Sequence, residues 1–162
     1  MEDRKEILRH TPIFGGLLGE ELDRVAGLLR EHGYRVGDVI VREGEPGRDM
    51  YIVRTGQVIV ERGGQNGAPP LQLATLSGGD FFGEMAVIDI QPRSATVRAT
   101  EETTLFSLSN RDLHQLSHHD LKTFTLIVMN IAREISRRLR QTDAALVELN
   151  LAERLRSSRP IL

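Results

Sequence analysis

The sequence predicts a mainly β fold, a barrel or sandwich of short strands framed by helices at both ends. Three observations predict it. Between Tyr34 and Leu108 ten glycines cut the chain into short β-type runs at near-regular spacing. On either side of that stretch, apolar residues recur at helical intervals of three and four. After Asp120 the chain continues past Arg154 without a proline or a glycine, which suits one long helix.

Taken in order, residues 2–10 read as a short helix ending before Thr11-Pro12. Glu20 to Glu31 reads as a second, with Leu22, Val25, Ala26 and Leu29 on one face. The expected strands are Val39 to Val41, Met50 to Val53, Gln57 to Val60, Leu71 to Leu76, Ala95 to Ala99 and Thr104 to Leu108. Arg62 to Pro70, RGGQNGAPP, is a hairpin loop by its glycine and proline content. Ser109 with Asp112 three residues on forms an N-terminal capping pattern for a helix to about Leu116. Asp120 then caps a long helix from Leu121 to about Arg154. The division expected is helices over 1–33, strands over 34–108 and helices over 109–157, within one domain spanning 1–162.

Bulk composition excludes several function classes. The chain has 162 residues, 40% of them hydrophobic and 27% charged, as in an ordinary globular domain. A net charge of -2 argues against a polyanion-binding surface spread over the molecule. The charge is uneven: residues 1–110 carry 12 basic against 17 acidic side chains, and residues 111–162 carry 9 against 6. With no cysteine, disulfides and thiolate metal sites are excluded. MEDRKEILRHTP has no apolar signal region, and the best candidate stretch, Phe124 to Met129, is far too short to cross a bilayer. The expectation is a cytoplasmic protein with no membrane partner.

The chemistry concentrates between Phe81 and Val97. Gly83 precedes Glu84-Met85-Ala86-Val87-Ile88, enough for one helical turn whose free backbone N–H groups make an anion site. Ten residues after Gly83, Arg93 supplies a planar fork of donors and Ser94 a hydroxyl. Glu84 would repel a phosphate alone, but its carboxylate can accept a bond from a sugar hydroxyl. A phosphate beside a ribose hydroxyl describes a nucleotide. The segment has no P-loop lysine and no metal-binding carboxylate pair, so one compact phosphate fits better than a triphosphate with magnesium.

FGEMA followed by PRSATV resembles the phosphate-binding cassette of the cyclic-nucleotide-binding domain family, of the catabolite activator and kinase regulatory-subunit type. Glycine, glutamate, proline, arginine and hydroxyl residue fall in register together. The resemblance extends to HTPIFGGL with EELDRVAGLL, to GDVIVREGEPGRDMYIVRTGQVIV and to SNRDLHQL. It implies a β-roll, a jelly-roll barrel (double-stranded β-helix) with N-terminal helices and a long C-terminal helix. It also implies a ligand, cAMP or cGMP, and roles for individual residues. Arg93 would pair with the cyclic phosphate, with Ser94 and the backbone of Met85 and Ala86 completing the cradle. Glu84 and the Gly83 backbone would hold the ribose hydroxyl. Val60, Leu73 and Leu76 would lie beside the base. As isolated residues, Arg93 and Glu84 are ordinary surface charges, and Val60, Leu73 and Leu76 ordinary core; the register is what carries the reading.

On the long helix, Val128, Ile131, Ile135, Leu139, Thr142, Leu146 and Leu149 form one apolar stripe. A helix this long is expected to pair with the same helix of a second copy, giving a homodimer. The resemblance makes Thr142 and Asp143 the base-contact candidates, although Asp143 replaces a small hydroxyl residue; Thr142 equally suits a polar position in a dimer seam. The arginine run 133, 137, 138 and 140 is expected to be a solvated face, with Glu134–Arg138 as an i,i+4 pair. No helix-turn-helix follows Arg154, so no DNA contact is expected. His118 and His119 look like a metal pair, but adjacent residues point apart, so no metal site is assigned. No nucleophile–base arrangement stands out, so no catalytic residue is assigned and an enzyme is not expected. Two readings result: a cyclic-nucleotide sensor, cAMP favoured over cGMP, acting through its C-terminal helix on an unknown effector protein, or a dimeric partner-binding scaffold whose barrel holds no nucleotide.

Overall fold

The computed structural model describes residues 2–64 and 68–157. Helix α1 (Glu2–His10) and helix α2 (Glu20–Leu28) flank a 3-10 turn at Pro12–Phe14. In α2 the 3,4-spaced Leu22, Val25 and Ala26 are buried. The helix stops at Leu28, short of the expected Glu31, because Leu29 turns extended (φ -68°, ψ 133°). Strand β1 (Arg30–Tyr34, REHGY) begins there, in a segment too polar to read as a strand. Its register comes from a neighbour, β8, with Arg30 opposite Ser107 and Tyr34 opposite Thr103.

The remaining strands are β2 (Val39–Val41), β3 (Asp49–Thr55), β4 (Val58–Gly63), β5 (Pro70–Leu76), β6 (Phe81–Phe82), β7 (Thr96–Ala99) and β8 (Thr103–Ser109). They form two antiparallel four-stranded sheets, in the orders β1-β8-β3-β6 and β2-β7-β4-β5. The expected barrel is thus a jelly roll of two sheets rather than one closed ladder. Strands β5 and β6 each sit at the edge of their sheet. The expected hairpin loop is bounded by Gly63 opposite Pro70, and its residues 65–67 lie outside the described residues.

Strand alternation sends side chains into two cores. Val53 of β3 and Leu105 of β8 join Val58, Phe82 and Val97 between the sheets. Met50, Ile52, Phe106 and Leu108, on the other face of the same strands, pack with Leu8, Phe14, Val25, Leu113, Ile127 and Ile131 of the helical layer. This explains why β8 reads TTLFSLS and is nearly all buried: it is covered on both faces.

Helix α4 (Asn110–His119) opens with the expected capping box. Ser109 Oγ accepts from Asp112 N at 3.1 Å, and Asp112 Oδ2 accepts from Ser109 N at 3.0 Å. Helix α5 (Leu121–Ser157) follows, with Asp120 Oδ1 accepting from Thr123 N at 3.1 Å. Arg24 pairs with Asp120, and Lys122 with Glu21 at 2.6 Å, tying α2 to the root of α5. Asn130 Nδ2 donates to the carbonyls of Ile13 (3.2 Å) and Gly15 (2.8 Å). The first half of α5 is therefore fixed over the sheets. Its apolar face includes Ile127, which the stripe read from the sequence leaves out.

Candidate functional site

A cavity of about 1530 Å³ lies between the second sheet, the β6–α3 segment and α5. That is above the roughly 300–1,000 Å³ of ordinary small-molecule clefts. Its walls include residues of two edge strands, Leu71, Leu73 and Leu76 of β5 and Phe81 and Phe82 of β6. An open sheet edge here makes room for a ligand that a closed barrel would exclude.

Helix α3 (Met85–Ile88) is one turn long and starts just after Gly83, whose φ is +77°. A side chain at Gly83 would be strained, and its Cβ would sit 2.7 Å from Arg93 Nη1. A Cβ at Gly47 would lie 2.0 Å from Arg93 Nε. Two glycines therefore leave the space that the guanidinium fills. The β2–β3 loop also clamps the backbone of Arg93: Arg93 N donates to Glu45 O (2.9 Å), and Gly44 N donates to Arg93 O (2.8 Å). Tyr51 lies under the guanidinium, with its ring centroid 5.9 Å from Cζ. Burial, followed by Tyr34 and Asp49, pushes the Tyr51 phenol up, so it stays neutral.

Arg93 is 9% exposed, and among the described residues its Nη1 has no hydrogen-bond partner. Sequestering an unpaired charge costs on the order of several kcal/mol. Arg93 thus sets a guanidinium at the cavity wall, with Nη1 itself covered on the Gly83 side. Ser94 stands exposed at the same wall.

The helix wall is organised differently. Glu84, 5% exposed, accepts from Arg138 Nη1 at 2.9 Å. Arg138 Nε donates to Glu134 Oε1 at 3.0 Å and Nη2 to Phe81 O at 3.4 Å, with the guanidinium 4.9 Å from the Phe81 ring centroid. Hydrogen bonds from Arg137, and then from Arg138, hold the Glu134 carboxyl below the usual carboxylate range against the opposing pull of burial. The expected solvated Glu134–Arg138 pair is corrected here: Glu134 is buried and Arg138 reaches across to Glu84. Two residues of an i,i+4 pair can be turned inward when another element offers a carboxylate.

Among the residues singled out from the sequence, Gly83, Glu84, Met85, Arg93, Ser94, Val60, Leu73, Leu76 and Thr142 all line the cavity. Ala86 lines a smaller adjoining space with Gly83, Met85, Arg93 and Ser94. Asp143 is not brought in: it is exposed on α5 and absent from the lining, because its neighbour Thr142 takes the inward position. Thr142 Oγ1 donates to Arg138 O at 3.0 Å, which leaves its lone pairs for a ligand. Sequence reasoning missed Gly47, Tyr51 and Gln141, which the fold places at the site or beneath it. The GEPG run was the only local signal for Gly47.

Among the described residues, no group of three or more His, Cys, Asp or Glu could hold a metal ion, and no helix is long and apolar enough to cross a membrane.

Three comparisons with known proteins bear on this site. Cyclic AMP receptor protein of Thermus thermophilus is 34% identical over 149 residues, which is 90% of this chain and 65% of that protein. A cyclic nucleotide-binding domain from Methylobacillus flagellatus superposes with a TM-score of 0.79 at 25% identity, covering 91% of this chain and 82% of that one. The regulatory domain of Toxoplasma gondii PKA, solved with cAMP, gives a TM-score of 0.68 at 29% identity, covering 82% of this chain and 51% of that one. The chain thus spans about two thirds of the bacterial relative and half of the Toxoplasma chain. The sequence profile of the cyclic nucleotide-binding domain matches residues 31–120, which contain the whole cassette and both sheets apart from Arg30, and on that match this chain belongs to the cyclic nucleotide-binding domain family.

Proposed function

We propose that the chain is a cyclic-nucleotide sensor that takes cAMP in preference to cGMP and relays its occupancy through α5. The observation that carries the proposal is that Arg93, 9% exposed and without an ion pair among the described residues, lines one cavity together with the Glu84 carboxylate. Arg93 and Ser94, with the backbone N–H of Met85, take the cyclic phosphate; the expected Ala86 N–H instead donates to Gly83 O at 3.1 Å. Glu84 accepts from the ribose hydroxyl. Val60, Leu73 and Leu76 provide apolar wall for the base.

Thr142 supports the adenine preference. Its hydroxyl proton is committed to Arg138 O, so it offers the ligand an acceptor. The exocyclic amine of adenine can donate to that acceptor, and the corresponding carbonyl of guanine cannot. The bacterial relative is named for cyclic AMP, and the Toxoplasma chain was solved with it.

The relay runs through Glu84. Its carboxylate holds Arg138 of α5 and would also face the ribose hydroxyl, so occupancy changes how α5 is attached. Beyond Arg138 the apolar stripe loses its cover: Leu139, Leu146 and Leu149 are 59%, 57% and 64% exposed. A second copy of α5 is the expected partner for that stripe. Titration calorimetry with cAMP and cGMP tests the sensor reading, with saturable binding expected at one nucleotide per chain and cAMP the tighter. Absence of saturable binding to either would overturn it in favour of the scaffold. Sedimentation velocity on wild type and Leu146→Glu tests the pairing, a dimer and a monomer being the expected pair of results; a monomeric wild type would remove the α5 interface.

A further inference from the structure

Helix α4 carries two histidines on its exposed face that the cassette does not use. His114 and His118 stand one turn apart, with ring centroids 4.8 Å apart, ring planes at 89° and Nε2 atoms separated by 3.3 Å. Both residues are exposed. Among the described residues, the contact between the two Nε2 atoms is the only hydrogen bond either ring makes. The sequence pairs His118 with its neighbour His119, but the helix pairs it with His114.

In the neutral state one Nε2–H donates to the lone pair of the other Nε2. Once the donor ring's proton has shifted to its Nδ1, both Nε2 lone pairs can instead turn onto one cation. Zinc–imidazole bonds of about 2.0–2.1 Å, meeting at a tetrahedral angle of about 109°, require a nitrogen separation of about 3.3–3.4 Å. The observed 3.3 Å falls in that range, so the two Nε2 atoms already stand at a chelating separation, and ring rotation with the proton shift converges their lone pairs. Histidines at i and i+4 on one helix face are a known zinc-binding spacing. The position also suits a cation because it occupies the last turns of α4, where the helix dipole presents its negative end. Arg111, three residues before His114, is the opposing charge on the same helix, and it is exposed on a flexible stem. Imidazole nitrogen favours zinc, nickel or copper over magnesium or calcium.

We propose that His114 and His118 form a two-point chelate for one divalent transition-metal ion, with water completing its coordination. The ion clips residues 114–118 in helical form just before the bend at Asp120, where α4 hands over to α5. Asn110 Nδ2, at the other end of α4, donates to Val87 O of the cassette helix at 2.9 Å. A metal clip on α4 therefore stiffens the element that joins the cassette to the long helix.

The test is calorimetric titration of chelator-stripped, untagged full chain with Zn²⁺ alone. One Zn²⁺ per chain is expected, with affinity falling by about tenfold or more in His114→Ala and in His118→Ala. His119→Ala should retain wild-type affinity. Saturating Zn²⁺ should raise the thermal unfolding midpoint of wild type but not of His118→Ala, and Mg²⁺ should leave both unchanged. Unfolding of the zinc-free variants, measured alongside, separates a lost ligand from a damaged fold. No saturable zinc binding, one ion per two chains, or equal losses in all three variants would overturn the proposal.

Discussion

On the sheet wall of the cavity, Arg93 is 9% exposed, with Nη1 unpartnered among the described residues; on the helix wall, all three nitrogens of Arg138 are bonded, to Glu84, Glu134 and Phe81 O. The same side chain is prepared for a ligand on one wall and consumed by the protein on the other. The difference arises from what supports each residue. Arg93 is held by backbone, between two glycines and a clamped loop, so its position does not depend on a counter-charge. Arg138 is held by carboxylates, one on its own helix and one on the cassette, so its position changes if either carboxylate gains another partner. The proposed relay needs a ligand to bind the two attachments of α5 unequally, and the adjustable wall is where such a difference would arise.

The largest effect is expected from Arg93→Leu. Losing two charge-assisted hydrogen bonds at about 1.5–3 kcal/mol each should lower nucleotide affinity by about a hundredfold or more. The ligand-free variant should be at least as resistant to urea as wild type, because an unpaired buried charge has been removed. A variant that loses both binding and stability would mean that Arg93 is structural and the comparison is wrong.

A smaller loss is expected from Gly47→Ala. Gly47 is not in the left-handed region, so the substitution acts through its Cβ, 2.0 Å from Arg93 Nε. The guanidinium must move, and affinity should fall by roughly tenfold with a modest loss of stability. Wild-type affinity in this variant would show that the loop does not fix the position of Arg93.

The smallest effect on binding is expected from Arg138→Gln, a change of roughly threefold to tenfold. Glu84 would lose its cation, but Arg138 is 39% exposed, so solvent screening reduces the stability cost to about 1 kcal/mol. The distinguishing readout is hydrogen exchange along α5, which should accelerate beyond Glu134 and not at Ile127 or Ile131. Unchanged exchange would mean that Arg138 does not attach the helix, and the contrast between the walls would lose its mechanical meaning.

Much of this arrangement was legible locally. The Ser109–Asp112 capping box, the α1 limits and the cassette spacing each depend on residues a few positions apart, and each appears where the sequence places it. Strands β1 and β6 were not legible, because REHGY and a two-residue FF segment become strands only through the ladders of β8 and β3. The seven-residue stripe of α5 reads as uniform, yet Ile131 is buried and Leu149 is 64% exposed. Periodicity identifies an apolar face but not what covers it.

By itself, the sequence determined the sheet-with-helices architecture, the presence of an arginine fork and a carboxylate ten residues or fewer apart in one short segment, and the family resemblance. These rest on backbone propensity and on chemistry carried within one short segment. Only the tertiary structure decided that Gly47 makes the space for Arg93, that Arg138 reaches Glu84, that Thr142 faces the cavity while Asp143 does not, and that His114 partners His118. The first three depend on close approach of chain segments distant in sequence, and the last on α4 continuing to His119, past the expected end near Leu116.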